Sequence, residues 1–265
     1  MKGFVGVAGC GRMGAGMLAN LRKAGIDAEG YDVRAIDGVG NDIVSFCDGL
    51  TTLITVVRDA AETDALLFDN QAVVSRAKSL NSVIICSTLS PRYVKALRKR
   101  IPDNIGLVDA PMSGAQIKAE AGTLTFMTGG DTSRIMPLLE AMGRDIHDMG
   151  GFGTGMMAKV LNNLLAASHT AMTRLVLDWA DAAAVDEDKL LNLIHNASGQ
   201  NWLASGFDEI EFAREGYARD NTIGILAKDI AAALAIAPDG DIALPRAVQS
   251  AICKLKPRPK PLKRS

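Results

Sequence analysis

The sequence predicts an α/β fold: a doubly wound parallel sheet first, then an all-helical C-terminal part entered through one long helix. Three observations carry this. Up to residue 148, short β-type runs alternate with segments of period-3.6 apolar spacing. The pattern breaks at Gly150-Gly-Phe-Gly-Thr-Gly155, and beyond it no Gly or Pro occurs from Met156 to Ser198. Strands alternating with helices imply parallel pairing through right-handed crossovers.

Taken in order, Gly3–Ala8, Ala28–Tyr31, Leu53–Val57, Ser82–Cys86, Ile105–Asp109, Thr123–Thr128 and Ile146–Asp148 read as strands. Ser90 and Pro91 mark a helix start, Ser as a cap and Pro at the first helical position. From Met156 to about Ala184 an apolar stripe (Met157, Val160, Leu161, Leu164, Leu165, Met172, Leu175, Val176, Trp179) predicts a helix ~43 Å long. That is longer than a small domain is wide, so the helix should bridge domains or pack on a second subunit, making a homodimer or homotetramer. Further helical runs are expected at Asp186–Asn196, Gly206–Arg214, Thr222–Ala237 and Leu244–Lys254. The expected domains are residues 1–152, residues 153–253, and a basic Pro-rich tail at 254–265.

Composition narrows the function. At 265 residues, 48% hydrophobic and 22% charged, the chain can bury a large core without staples. Its four cysteines lie far apart with no C-x-x-C pair, which argues against a disulfide framework or zinc site and for a reducing, cytoplasmic setting. The N-terminal apolar run is too short and Gly-broken for a signal peptide, and no stretch reaches the ~18 apolar residues needed to span a bilayer. The last twelve residues hold six basic and no acidic side chains, leaving −7 over residues 1–253. An acidic body and sparse aromatics exclude nucleic acid and membranes as natural partners. The tail either stays disordered, the expected state for an alternating Pro and basic sequence, or meets an anionic partner.

Gly9-Cys-Gly11-Arg12-Met13-Gly14 fits G-x-G-x-x-G between a strand and a helical run. In that placement the glycines permit a tight turn and close approach of a pyrophosphate to a helix N-terminus, the arrangement of a Rossmann-type dinucleotide site. Asp32, 23 residues after Gly9, suits the ribose hydroxyls and disfavours the 2′-phosphate of NADP. Arg34 blurs that choice, so the expected cofactor is NAD, with NADP not excluded.

Lys159 and Asn163, four apart, share one face of the long helix. Spacing leaves two readings of Lys159 open: a snorkelling lysine, or an ammonium beside an apolar wall that can serve as general acid or base. Ser113, in Asp109-Ala-Pro-Met-Ser-Gly-Ala115, marks a turn whose amides could hold a carboxylate. Lys228-Asp229 stands in an otherwise small and apolar helical run, either as an exposed stripe or as a functional pair. His147, His169 and His195 show no ligand spacing, and no catalytic metal is implied.

Together the motifs resemble the β-hydroxyacid dehydrogenase family, which includes hydroxyisobutyrate dehydrogenases, tartronate semialdehyde reductases and, more distantly, phosphogluconate dehydrogenases. The matching stretches are Gly9–Met17, Ser87–Pro91, Asp109–Gly114, Gly122–Gly130, Gly153–Asn163 and Lys228-Asp229, in family order. The resemblance implies that Lys159 is the general acid/base for the hydroxyl proton while hydride moves between carbinol carbon and nicotinamide. It implies that Asn163 orients the substrate and that Ser113 and Gly114 hold its carboxylate. Thr88, Val56 and Val57 would line the cofactor, and Lys228 would reach over the nicotinamide side, where a second cation helps keep the Lys159 ammonium easy to deprotonate. The stretch between Asp32 and Leu53 is shorter than in relatives, Val57 stands where they commonly carry Pro, and relatives continue with more helix. Imine reductases share the architecture but usually replace the lysine, so Lys159 argues against them. The expected function is an NAD(P)-dependent oxidoreductase on a small 3-hydroxy acid. The alternatives are a non-catalytic nucleotide-binding protein of the same fold, or a reductase of a related carbonyl or imine.

Overall fold

The computed structural model describes residues 3–238 and 242–260 and divides into two compact units, residues 1–159 and 160–265. In chain order the first unit holds β1 (Phe4–Ala8), α1 (Arg12–Lys23), β2 (Ala28–Tyr31), α2 (Ile43–Cys47), β3 (Leu50–Thr55), α3 (Ala60–Leu67), α4 (Val73–Arg76), β4 (Ser82–Ile85), α5 (Pro91–Leu97) and β5 (Gly106–Asp109). These five strands form one sheet in the order β2-β1-β3-β4-β5, and every neighbouring pair is parallel. A parallel sheet buries both faces, so its strands read as nearly continuous apolar runs. Val83 and Ile85 accordingly enter one core cluster, and Ile84 enters the other. The chain reverses its direction of travel across the sheet between β1 and β3, and ligands bind beyond the carboxyl ends of strands at such a switch.

The remaining strands do not extend this sheet. β6 (Met112–Ser113), β7 (Leu124–Thr128) and β8 (Gly143–Asp148) make a separate three-stranded sheet, with α6 (Ala115–Ala121) and α7 (Met136–Met142) between them. β6 pairs antiparallel with β7, so the expectation of a single parallel sheet fails here. A two-residue strand behind Pro111 has no periodicity to read, and it is this strand that turns the chain. Ser90 does precede α5 as expected, but its side chain makes no capping bond.

α8 (Thr154–Ala182) runs 29 residues, about 43 Å. It begins in the first unit and continues into the second, where α9 (Glu187–Asn196), α10 (Trp202–Ser205), α11 (Thr222–Leu234) and α12 (Ala243–Ile252) follow. Asp186, Asn201 and Asn221 cap the starts of α9, α10 and α11 with their side chains. The expected helix at Gly206–Arg214 is instead a chain of turns. At its end the carbonyls of Ala213 and Glu215 accept the guanidinium of the buried Arg174 at 2.8 Å each.

The tail is also corrected. Among residues 254–260, Arg258 is buried, its Nε donates to Glu187 at 2.7 Å, and its Nη1 meets Asp178 at 2.9 Å and Asp181 at 2.8 Å. The Tyr217 amide donates to the Leu255 carbonyl, and Arg258 N donates to the Arg214 carbonyl. Acidic residues on α8 and α9 supply its partners. Residues 261–265 lie outside the described residues. Among the described residues no helix is long and apolar enough to cross a membrane.

Candidate active site

The glycine motif sits at the switch point. Gly9, at φ +94°, follows β1, and a Cβ there would lie 2.6 Å from the Val56 carbonyl oxygen just past β3. A Cβ on Gly14 would lie 2.2 Å from the Gly9 carbonyl, so glycine lets α1 start hard against the strand. Gly11 is different. Its φ of −74° suits any residue, and a Cβ would meet only Arg34 Nη2, at 3.5 Å. The chain's own packing needs no glycine at 11, whereas a ligand pressed against that backbone does. The first turn of α1, from Arg12 and Met13 to Gly14, has no side-chain cap and no acidic residue. Its amides therefore face outward with the positive end of the helix, as a pyrophosphate requires. The residues fit a dinucleotide. Cys10, in the same loop, is inert: burial, then the nearby Asp32, push its thiol up to about 11.

Asp32, just past β2, is buried, and Arg34 is largely exposed. The pair is bidentate: Oδ1 accepts Arg34 Nε at 2.9 Å and its amide at 3.0 Å, while Oδ2 accepts Nη2 at 3.0 Å. These bonds hold the Asp32 carboxyl below its ordinary range against the cost of its burial.

Val57 follows Val56 beyond β3, and half-buried Thr88 follows β4. Past β5, Ser113 lies in β6, and Gly114, at φ +139°, opens α6 with Ala115 beside it at φ +54°. Two successive left-handed residues turn the backbone sharply at the loop expected to hold a carboxylate. Gly9, Asp32, Val56, Thr88 and Asp109 thus line the carboxyl edge of one sheet. Asp109 reaches further: its carboxylate accepts the amides of Gly153 and Met156 at the start of α8. On that helix Lys159 is only 7% exposed.

In the second unit Asn163, one turn beyond Lys159, is 9% exposed, and its Nδ2 donates to Asp229 Oδ2 at 2.6 Å. Lys228, half-exposed on α11, brings its Nζ to 4.0 Å from the same carboxylate. Asp229, buried at 2%, is the group sequence reasoning left without a role. An acidic residue on the apolar face of a helical run was its signal. Asp109 had none, since its partners lie far along the chain.

Comparison with known proteins follows this geometry. Residues 4–151, more than half of the chain, match the model of the NAD binding domain of 6-phosphogluconate dehydrogenase. Residues 153–252 match the model described as NAD-binding of NADP-dependent 3-hydroxyisobutyrate dehydrogenase. The chain belongs to the β-hydroxyacid dehydrogenase family. Among its relatives, a 3-hydroxyisobutyrate dehydrogenase of Pseudomonas aeruginosa is 30% identical, over 86% of this chain and 83% of that protein. An NAD-dependent L-serine dehydrogenase of the same organism is also 30% identical, over 87% and 83%. A solved 3-hydroxyisobutyrate dehydrogenase of Mycobacterium tuberculosis with L-serine has a TM-score of 0.76 at 24% identity, covering 96% of this chain and 92% of its own, and shares the fold. As a member of this family the chain is an NAD(P)-dependent hydroxyacid dehydrogenase.

Proposed function

We propose that the chain moves a hydride between NAD and a small 3-hydroxy acid of the 3-hydroxyisobutyrate type, with Lys159 as general acid and base. The observation that carries the reading is Lys159 itself, an amine buried one turn before Asn163 on a helix whose start is fixed at the edge bearing the nucleotide loop. A bound nicotinamide supplies the hydride acceptor. The residues do the rest. Gly11, Arg12, Met13 and Gly14 hold the pyrophosphate and Asp32 the ribose, while Val56, Val57 and Thr88 line the cofactor. Ser113 and the Gly114 amide fix the substrate carboxylate, and Asn163, steadied by Asp229, orients the substrate. The family resemblance assigns Lys228 the role on the nicotinamide side. In oxidation, neutral Lys159 takes the hydroxyl proton. The C=O bond forms from the O–H electron pair, and the carbinol C–H pair departs as hydride. In reduction the ammonium returns that proton.

In this reading residues 1–152 hold the nucleotide, residues 153–253 serve substrate closure and association, and the protein works in the cytoplasm as a homodimer or homotetramer. The support for association is the outer face of α8. Leu161, Leu165, Met172, Leu175 and Trp179 are 41–67% exposed. The charged residue between Val160 and Leu177, Arg174, is buried. A five-turn apolar face suits a second copy better than water.

The test is initial-rate absorbance of reduced nicotinamide with NAD and NADP against 3-hydroxyisobutyrate, 3-hydroxypropionate, glycerate, L-serine and 6-phosphogluconate. Turnover of a small hydroxy acid is expected, faster with NAD. Tight cofactor binding with silence across the panel would leave the non-catalytic reading standing instead.

A further inference from the structure

Asp109 has no part in the reaction above, yet it is fully buried at the end of β5. Both of its oxygens serve one element. Oδ1 accepts the Gly153 amide at 2.6 Å, and Oδ2 accepts the Met156 amide at 2.5 Å. These belong to the residue before α8 and to its third residue, two of the amides a helix start leaves unpaired. A strand residue 44 positions upstream thus caps the helix, a task normally left to its immediate neighbour. The backbone of Asp109 is pinned in turn: its N and O pair with Gly129 O and N at 3.1 and 2.8 Å.

The junction has no slack. A Cβ on Gly129 would lie 2.5 Å from Asp109 Oδ1, and one on Gly155 would lie 2.3 Å from the Met127 carbonyl oxygen. Nor is the carboxylate a stabilising choice at neutral pH. Desolvation raises it above the usual carboxylate value despite the pull of the Gly153 and Met156 amides. A raised folded value means that its contribution to stability is fullest below the unfolded value and is lost as pH rises through the folded one. What the ionised group offers is a fork of two acceptors matched to two helix amides.

We infer that Asp109 is a positioning residue for Lys159, pinning the first turn of α8 to the end of β5 and so fixing where the amine three residues beyond Met156 stands. The inference rests on the reading of Lys159 as acid and base. A helix start free to drift by about 1 Å would carry the amine with it, and such a misplacement costs on the order of 10²-fold in rate.

The experiment places Asp109→Asn and Gly155→Ala in the wild-type chain and in Lys159→Ala, with ethylamine added to restore turnover of the latter. Ethylamine carries protons without being attached to α8. The substrate is the hydroxy acid turned over fastest in the panel above. Asp109→Asn should lower wild-type kcat by about 10- to 100-fold while leaving KM and NAD binding within about two-fold. It should change amine-rescued turnover by less than about two-fold, because the tethered amine is gone. Amide exchange should lose protection at Gly153 and Met156 and keep it in β1–β4. Gly155→Ala moves the same helix start with the carboxylate intact, so it should give the same split and keeps the test decisive where Asp109→Asn does not fold. Equal losses in the tethered and rescued enzymes, or an unchanged kcat, would overturn the inference. Full turnover by Lys159→Ala alone would instead sink the acid–base reading, and this inference with it.

Discussion

In the proposed reading, the choice between NAD and NADP falls to Asp32 and Arg34. The carboxylate stands where ribose hydroxyls are expected, and its bidentate partner is the cation that a 2′-phosphate would seek. Asp32→Ala removes the repulsion and releases Arg34, so the ratio of kcat/KM for NADP to that for NAD should rise at least about tenfold, the worth of ~1.4 kcal/mol. The same pair leaves a pH signature. Because the folded value of Asp32 lies below its unfolded one, its stabilisation is complete above the unfolded value and is lost as pH falls through the folded one. Thermal melts at stepped acid pH should therefore show Arg34→Ala less stable than wild type above the unfolded value, with the gap closing as pH falls through the folded one. Coincident curves would mean that the exposed guanidinium contributes nothing.

At the scale of elements, glycines and tail do opposite jobs. Gly14→Ala drives a Cβ into the Gly9 carbonyl, so α1 must lift from the end of β1. Calorimetry should record NAD affinity weakened more than about tenfold, since the amides that would face the pyrophosphate move with the helix. Arg258→Ala strips one of two arginines from Glu187, whose other partner is Arg214 at 2.6 Å. Urea unfolding should register a loss of about 2–4 kcal/mol for this buried network, and a change below about 0.5 kcal/mol would show the strap to be ornamental. What could be read from sequence divides along the same line. Gly9, Gly11 and Gly14, Asp32 and the long helix with Lys159 and Asn163 were legible because local spacing fixes them. β6, Asp109, the turns at 206–214 and the buried tail were not. Each meets a partner distant along the chain: β7 for β6, the α8 amides for Asp109, Arg174 for the Ala213 carbonyl at the end of the turns, and Glu187 for Arg258.

For the molecule as a whole, the proposed association rests on the exposed face of α8. Its outward positions are symmetric about residue 170, pairing Leu161 with Trp179, Leu165 with Leu175 and Ser168 with Met172. An antiparallel second copy about a two-fold axis would bring those pairs into layers, large residues against small or branched ones. Leu165→Glu plants two like charges beside that axis, and light scattering should then give half the mass of the wild-type chain. An unchanged mass would move the interface elsewhere.

The central claim is that Lys159 carries the proton. Single-turnover stopped-flow with NAD and the best hydroxy acid of the panel tests it in wild type and Lys159→Ala, with cofactor affinity measured alongside. A fall in hydride transfer of about 10²- to 10⁴-fold, with NAD binding unchanged, is the predicted result. Hydride transfer at the wild-type rate in Lys159→Ala would contradict it.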